Sequence, residues 1–267
     1  MSQVVFITGG SSGIGKAIGE LLHERGYKVY GTSRDRSQYP NSIFPLIDMD
    51  VLDTTSISDA VSELIQKAGK IDILINNAGI GITGPMEEIP IEETHHAMRV
   101  NFYGPIQVIN AILPSMRKQR GGRVLNITSI AGYMGLPYRG IYSASKGALA
   151  IVTETYRMEL KAFGVEMCTI APGDFATNIA AGRYHAPILD NSPYKKIYAE
   201  SLKTMDAHVD DGSDPKQMAE AVYKILQKRK LKVHYKVGDS LQKLSTILKG
   251  ILPDTIYEKM LRRHYKI

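Results

Sequence analysis

The sequence predicts an α/β protein with a doubly wound, mostly parallel sheet of seven strands and helices on both faces. Three observations predict it. Short apolar runs alternate with helix-periodic segments from the first residues onward, a glycine-rich turn follows the first run, and 267 residues with 43% hydrophobic content suffice for one large core. Ligands of such sheets bind beyond the carboxyl ends of the strands. We therefore expect the functional residues directly after the strands.

The predicted strands are short and rich in β-branched and apolar residues, and the segments between them repeat apolar residues at helical spacing. The predicted strands are 4–8, 27–33, 44–49, 71–75, 123–128, 165–171 and 231–237. The predicted helices are 14–22, one capped at 54–56, 91–119, 142–163, one that starts at Asp214-Pro215, 240–248 and 255–261. Strand 231–237 alternates in polarity and is placed at an edge of the sheet.

The chain is expected to form one domain over residues 1–267, with a lid at about 178–210 and a basic C-terminal extension at about 238–267. Its one cysteine, Cys168, excludes a disulfide within the chain and favours a reducing compartment. No run approaches 18 apolar residues, and the first residues carry no basic region before the first strand. These features predict a cytoplasmic protein.

Positive charge is concentrated near the C-terminus. Residues 216–267 contain 13 Lys and Arg against 4 Asp and Glu, whereas the whole chain has a net charge of +6. A solvated basic face is the favoured interpretation. Contact with an anionic substrate group or a membrane surface is an alternative that we do not favour here. Nucleic-acid binding is disfavoured because no recognition motif accompanies the charge.

The glycine-rich turn lies between the first strand and the first helix. Its sequence is Thr8-Gly9-Gly10-Ser11-Ser12-Gly13-Ile14-Gly15. Glycines permit a tight turn and close approach of the backbone to a pyrophosphate, and the following helix offers free N–H groups to phosphate. The turn therefore predicts a dinucleotide site.

The end of the second strand predicts which dinucleotide is bound. NAD sites usually place a carboxylate there for the ribose hydroxyls, but this chain has Gly31-Thr32-Ser33-Arg34. The guanidinium of Arg34 suits a 2′-phosphate. We expect NADP(H), with NAD(H) as the alternative.

Tyr142 and Lys146 lie one turn apart on one face of a predicted helix. An ammonium near a phenol lowers the pKa of the phenol, which could then exchange a proton near neutral pH. Ser129 follows the fifth strand, where its hydroxyl could hydrogen-bond a substrate oxygen. Asn101 lies in the long helical region. A turn cap remains the alternative for Ser129, and a satisfied buried amide the alternative for Asn101.

These motifs resemble the short-chain dehydrogenase/reductase family in its compact, single-domain type, with a Rossmann sheet. The resemblance covers residues 3–178, in the family's order and spacing. It rests on the loop at 8–15, Asp50-Val51, Asn76-Asn77-Ala78-Gly79, Asn101, Ser129, Tyr142, Lys146, and Pro172-Gly173 with Thr177. A departure is Ser12, where many NADP(H) members have a basic residue, so the 2′-phosphate would depend mainly on Arg34.

The resemblance implies an enzyme that transfers hydride between a nicotinamide and a carbonyl or alcohol carbon. Tyr142 would be the acid/base, Ser129 would hold the substrate oxygen, Lys146 would bind the ribose and lower the Tyr142 pKa, and Asn101 would anchor a water. The expected cofactor contacts are Gly9, Ser11, Ser12, Gly13, Ile14, Gly15, Arg34, Asp50, Val51, Asn77, Ala78, Gly79, Tyr142, Lys146, Pro172, Gly173, Phe175 and Thr177. A non-catalytic NADP(H) sensor on the same fold is the alternative, although a sensor has no need of all four catalytic groups.

The sequence is less informative about the part of the site that would bind the substrate. The predicted lid carries apolar and aromatic residues such as Tyr184, Ile188, Leu189 and Tyr198, which would suit a lipophilic or bulky ketone. The same residues could instead merely pack the lid onto the domain. The tail weakly resembles those of steroid- and retinoid-type members. No cluster has metal-ligand spacing, so no metal site is expected, and the family resemblance implies a homodimer or homotetramer.

Overall fold

The computed structural model describes residues 2–175, 182–210, 212–265 and 267, without the side chains of residues 204 and 206–210. The strands are β1 (Val4–Ile7), β2 (Lys28–Ser33), β3 (Leu46–Asp48), β4 (Ile73–Asn76), β5 (Ile82–Thr83), β6 (Gly122–Ile127), β7 (Val165–Pro172), β8 (Tyr184–His185) and β9 (His234–Val237). The helices are α1 (Gly13–Glu24), α2 (Thr54–Ala68), α3 (Ile91–Met98), α4 (Gly104–Lys118), α5 (Gly140–Glu159), α6 (Lys195–Asp210), α7 (Pro215–Leu226), α8 (Ser240–Ile251) and α9 (Asp254–Tyr265).

Seven of these strands form one sheet in the order β3-β2-β1-β4-β6-β7-β9, and every neighbouring pair is parallel. The predicted doubly wound fold is therefore confirmed, with β9 at the edge. From β1 the chain first builds outward through β2 and β3, and then outward on the other side from β4. The order thus reverses between β1 and β4, which is where ligands bind to such sheets.

The hydrophobic core has one layer on each face of the sheet because strand residues alternate in direction. Val5 and Ile7 of β1 pack with residues of α1 and α7, whereas Val4 and Phe6 pack with residues of α2 and α4. All four side chains are buried. Helices on both faces explain why β1 reads as a continuous apolar run.

Two local expectations needed correction. The third strand begins at Leu46 rather than at residue 44, because Phe44 turns inward against Gly19 and Gly31. Helix α2 is capped by Asp53, whose carboxylate accepts hydrogen bonds from the backbone N–H groups of Thr55 and Ser56 at 2.8 and 3.3 Å. The cap therefore lies one residue before the Thr-Thr-Ser segment.

The long predicted helix at 91–119 is interrupted by a π-helical turn, Arg99–Tyr103, between α3 and α4. The turn contains Asn101, whose side chain is fully buried. A π-turn shifts the register of the following residues, and such turns are frequent at functional sites. None of the described helices is long and apolar enough to cross a membrane.

Candidate active site

The glycine-rich turn adopts a backbone conformation that requires glycine at several positions. Gly9 and Gly13 have positive φ angles of 64° and 52°, a region that L side chains rarely adopt. A Cβ on Gly15 would overlap the carbonyl oxygen of Gly9, and a Cβ on Gly10 would lie 2.7 Å from the Cα of Gly31. Ser12 is the N-cap of α1 in an extended conformation, and its side chain makes no capping hydrogen bond. The turn is therefore a tight backbone cradle at a helix N-terminus.

Asn77 and Thr8 join this turn to the end of β4. The hydroxyl oxygen of Thr8 accepts from the backbone N–H groups of Asn77 and Ala78 at 2.9 and 3.0 Å. The amide nitrogen of Asn77 donates to the carbonyl oxygens of Thr8 and Gly9 at 3.0 and 3.1 Å. The side chain of Asn77 thus stabilises the loop, in addition to any cofactor contact.

The end of β2 brings Arg34 to the same sheet edge, with an exposed side chain. The neighbouring carboxylate of Asp35 turns back to its own segment and accepts from Ser37 and Gln38, and these hydrogen bonds lower its pKa. Arg36 forms ion pairs with Asp48 and Glu63 at 3.3 and 3.1 Å. Both arginines are exposed, but the Arg36 guanidinium is held by two carboxylates, so Arg34 is the better candidate for binding a phosphate at this strand end.

Asp50 and Val51 follow β3, also at the carboxyl edge. A carboxylate oxygen of Asp50 accepts from the backbone N–H of Leu52 at 2.9 Å. Val51 packs on Gly104, where a Cβ would lie 3.1 Å from the Val51 Cβ. The start of α4 therefore needs a glycine beside Val51.

Ser129 and Tyr142 meet at the carboxyl end of β6. Ser129 caps a short 3₁₀ turn, and its hydroxyl oxygen accepts from the backbone N–H of Ala131 at 3.1 Å. The Ser129 and Tyr142 side chains line the same cavity, and Ser129 lies close enough to Tyr142 to lower the pKa of its phenol. Ser129 is therefore the turn cap that we considered and also a neighbour of Tyr142.

Lys146 is buried beside this pair, with only 5% of its surface exposed. Its ammonium donates to the carbonyl oxygen of Ile127 at 3.0 Å. A Cβ on Gly79 would lie 3.2 Å from the Lys146 nitrogen and 3.1 Å from the amide oxygen of Asn101. The glycine after β4 is therefore where Lys146 and Asn101 converge.

Asn101 ties the loop after β4 to the helix that carries Tyr142. Its amide oxygen accepts from the N–H of Ile80, and its amide nitrogen donates to the carbonyl of Ile80, both at 2.9 Å. The same nitrogen donates to the hydroxyl of Ser145 at 3.2 Å. Both amide hydrogens are thus used within the protein, which is the satisfied-amide alternative.

The protonation of this cluster depends mainly on burial. Burial raises the pKa of Tyr142, and Ser129 with the charges of Arg139 and Arg183 opposes that rise without cancelling it. Burial lowers the pKa of Lys146 to about 8. The Lys146 ammonium donates to the Ile127 carbonyl, and its expected effect on the Tyr142 pKa stays a prediction.

A cavity of about 70 Å³ opens above Tyr142. Its lining residues are Ile14, Gly81, Ile82, Thr83, Ser129, Arg139, Tyr142, Pro172, Gly173, Asp174, Phe175 and Arg183. It thus joins the glycine-rich turn, the Ser129–Tyr142 pair and the segment after β7. Of the expected residues in that segment, Thr177 lies outside the described part of the chain.

Three charged cavity residues were missed from the sequence. Arg139 and Asp174 approach each other at 3.9 Å, and Arg183 is only 9% exposed. Arg139 stands three residues before Tyr142 at the start of α5, so helical spacing gave a usable signal. Asp174 follows β7 and Arg183 precedes β8, and no local sequence pattern predicts that either residue lines the cavity.

The described part of the segment predicted as a lid forms β8 and α6. β8 pairs with β5, and Tyr198 of α6 is buried with its hydroxyl 3.1 Å from that of Thr83. His185 lies 3.3 Å from the Thr83 hydroxyl. Ile188 and Leu189 are more than 40% exposed. Within residues 182–210, this segment thus contains both buried residues that pack against β5 and an exposed apolar tip.

No group of side chains that could hold a metal ion occurs among the described residues.

Comparisons with known proteins agree with this geometry. A family model described as short chain dehydrogenase matches residues 3–187. The 3-ketodihydrosphingosine reductase of Bacteroides thetaiotaomicron is 38% identical over 266 residues, which cover 99% of this chain and 98% of the relative. A short-chain dehydrogenase structure from Streptomyces avermitilis is 30% identical, has a TM-score of 0.82 and covers 98% of this chain and 97% of that chain.

Two more solved structures share the fold and hold nicotinamide dinucleotides. One from Burkholderia cenocepacia holds NADP (TM-score 0.77, 23% identity, covering 97% of this chain and 98% of that one). One from Burkholderia phymatum holds NAD (TM-score 0.81, 22% identity, covering 93% of each chain). At these identities the likeness shows the fold alone.

The parallel sheet, the glycine-rich cradle and the family match define an oxidoreductase of the Rossmann class that acts on CH–OH or C=O groups. The chain belongs to the short-chain dehydrogenase/reductase family.

Proposed function

We propose that the protein is an NADPH-dependent ketone reductase. The observation that carries this proposal is the convergence of Ser129, Tyr142 and Lys146 at the sheet edge where the glycine-rich turn also lies. A proton donor beside a dinucleotide cradle is the arrangement that carbonyl reduction needs.

The turn fits a dinucleotide because its glycines keep a tight, side-chain-free backbone at the N-terminus of α1. The pyrophosphate would be held by the backbone from Gly9 to Gly15, and the adenosine by Arg34, Asp50 and Val51. Ala78, Gly79, Lys146, Pro172, Gly173 and Phe175 would hold the nicotinamide half. When bound, the cofactor supplies the hydride that the protein's own side chains cannot.

Preference for NADP(H) is supported by the end of β2. Arg34 presents an exposed guanidinium there, and the Asp35 carboxylate is occupied by Ser37 and Gln38 rather than offered to ribose hydroxyls. A guanidinium binds a phosphate with paired, charge-assisted hydrogen bonds. This preference makes reduction the working direction that we propose.

The protein's own groups then perform the proton transfer. Tyr142 is a neutral phenol at neutral pH because its pKa is raised, so it can donate its proton to the carbonyl oxygen as the carbonyl carbon receives hydride. Ser129 orients that oxygen and the phenol. Lys146 carries positive charge at neutral pH, which stabilises the phenolate left behind. Asn101 holds the Ile80 loop and Ser145 in position.

For the substrate we propose a long-chain ketone of the 3-ketodihydrosphingosine kind. The support is a relative of that name, similar along the whole chain. The exposed apolar lid residues Ile188 and Leu189 suit a lipophilic chain.

We also propose a single domain with a lid at about 178–210 and an extension at about 238–267. We propose that it assembles as a homo-oligomer through α4 and α5. On α5, Ile151 and Met158 are 69% and 70% exposed.

The proposed role of Tyr142 is tested with Tyr142→Phe. Because the ring is kept and only the transferable proton is lost, turnover should fall by about 10²- to 10⁴-fold. NADPH affinity, measured by fluorescence titration, should stay within about twofold. Retained turnover would contradict the proton-transfer role of this residue.

A further inference from the structure

The outer face of α8 carries exposed apolar side chains that the proposed reaction leaves unused. Leu241, Leu244, Ile247 and Ile251 are 71%, 45%, 51% and 72% exposed. At about 100° per residue, these four positions fall within an arc of about 120°. They therefore form one continuous stripe, here called the α8 stripe.

The inner face of α8 makes several polar contacts, and Leu248 packs beside them on the small apolar cluster around Ile130 and Tyr257. Gln242 donates to the carboxylate of Asp174 at 2.7 Å and accepts from its backbone N–H at 3.1 Å. Thr246 accepts from the ammonium of Lys236. Lys249 lies over the ring of Tyr257 at 5.5 Å and pairs with Asp254. The residues of the α8 stripe belong to none of the apolar clusters formed by the described residues, so this side of the helix is left for something outside the chain.

Positive charge surrounds the α8 stripe. Helix α8 contains two lysines and no acidic residue, and Lys243 borders the stripe. On the neighbouring helix α9, Lys259, Arg262 and Arg263 are exposed, as is Ile256 at 52%. The whole segment 216–267 carries 13 basic against 4 acidic residues. An apolar stripe flanked by cations is the pattern of a helix that lies in the headgroup region of an anionic bilayer.

The position of α8 connects this surface to the candidate active site. Gln242 contacts Asp174, which lines the cavity above Tyr142. A Cβ on Gly173, another lining residue, would overlap the amide oxygen of Gln242. The α8 stripe is thus carried by a helix that packs directly against the cavity wall.

We propose that α8 docks on the surface of an anionic lipid bilayer, with the stripe at the acyl boundary and the flanking Lys and Arg at the headgroups. A second copy of the chain is the competing occupant. Charge argues against it, because two copies joined here would bring two strongly basic segments together. The proposal goes beyond the reductase function, since docking requires neither cofactor nor turnover.

The test is cosedimentation of the full chain with vesicles of phosphatidylcholine, with and without about a quarter of phosphatidylglycerol. The variants are Leu244→Gln with Ile247→Gln, and the control Ile43→Gln. Ile43 is 50% exposed against 51% for Ile247, so the control removes an equally exposed isoleucine elsewhere. We expect binding to the anionic vesicles that salt weakens, a fall of about tenfold or more for the double variant, and no change for the control.

Several results would overturn the proposal: no binding of the wild-type protein, equal binding by the double variant, or equal loss in the control. Light scattering supplies another check, since a smaller particle mass for the double variant would assign the face to a second copy. Circular dichroism verifies that each variant is folded. Because the vesicle assay contains neither NADPH nor ketone, its outcome is separate from the outcome of the reductase proposal.

Discussion

At the scale of single residues, the site depends on how each ionisable group is buried. Lys146 and Tyr142 are one helical turn apart, yet Lys146 donates to the Ile127 carbonyl and the Tyr142 pKa is set mainly by burial. The sequence specified the two residue types and their common face. It could not specify which carbonyl the ammonium would reach, because that depends on β6 lying beside α5.

The burial of Lys146 predicts a cost in stability that can be measured. A pKa of about 8 instead of 10.5 for a buried ammonium corresponds to about 3 kcal/mol lost by the folded state at pH 7. The hydrogen bond to the Ile127 carbonyl offsets about 1 kcal/mol of this cost in stability. Lys146→Met should therefore abolish turnover but raise the free energy of unfolding at pH 7 by about 2 kcal/mol.

The pH dependence gives this prediction its sign. The folded state releases the Lys146 proton near pH 8 and the unfolded state near 10.5, so the stability lost to this group is recovered as pH rises through that interval. The advantage of the methionine variant in urea unfolding should shrink between pH 7 and about 9.5. A variant that is less stable at pH 7, or an advantage independent of pH, would contradict the account.

Arg34 and Arg36 form a matched pair for testing dinucleotide preference. Arg34 is exposed at the end of β2, whereas Arg36 is engaged by Asp48 and Glu63. Arg34→Asp should shift the ratio of kcat/KM for NADPH over NADH by about 10- to 100-fold toward NADH, because charge-assisted phosphate bonds are lost. Arg36→Ala should leave the ratio unchanged. An unaltered ratio in the Arg34 variant would show that another group binds the 2′-phosphate.

At the scale of elements, the strand–turn–helix unit at the N-terminus was predictable in detail. Its glycines predict a tight turn, and Gly9 and Gly13 have positive φ angles in the structure. The parallel sheet with helices on both faces also followed from the repeated β-then-α pattern. The π-turn at Arg99–Tyr103 was not predictable, because its apolar periodicity continues that of α3 and α4.

The close packing of the glycine-rich turn predicts a selective loss of cofactor binding in Gly15→Ala. The new Cβ would overlap the Gly9 carbonyl oxygen, so the turn must open and the backbone cradle is lost. NADPH affinity should fall by about 100-fold by calorimetric titration. Gly121→Ala is the matched control, since a Cβ there meets nothing within 4 Å. Equal affinity for NADPH in the Gly15 variant and the control would contradict a cradle at this turn.

At the scale of the whole molecule, the sheet edge with the candidate site lies mostly within the part that the family model matches, and the C-terminal part lies beyond it. The family model ends at residue 187, whereas the relative from Bacteroides thetaiotaomicron is similar over 99% of the chain. The resemblance to the family therefore predicted the nucleotide side. The cavity charges Asp174 and Arg183 and the exposed apolar stripe of α8 had to come from the structure, because tertiary packing determines them.

The most direct measurement of the central claim is the consumption of NADPH in the presence of 3-ketodihydrosphingosine, with the product identified by mass spectrometry. NADH and a water-soluble ketone serve as parallel conditions. We predict that NADPH is consumed in equal amount to the alcohol formed, faster than NADH, and that Tyr142→Phe abolishes the reaction. Tight NADPH binding without reduction of any ketone would contradict the reductase and support a nucleotide-sensing protein on the same fold.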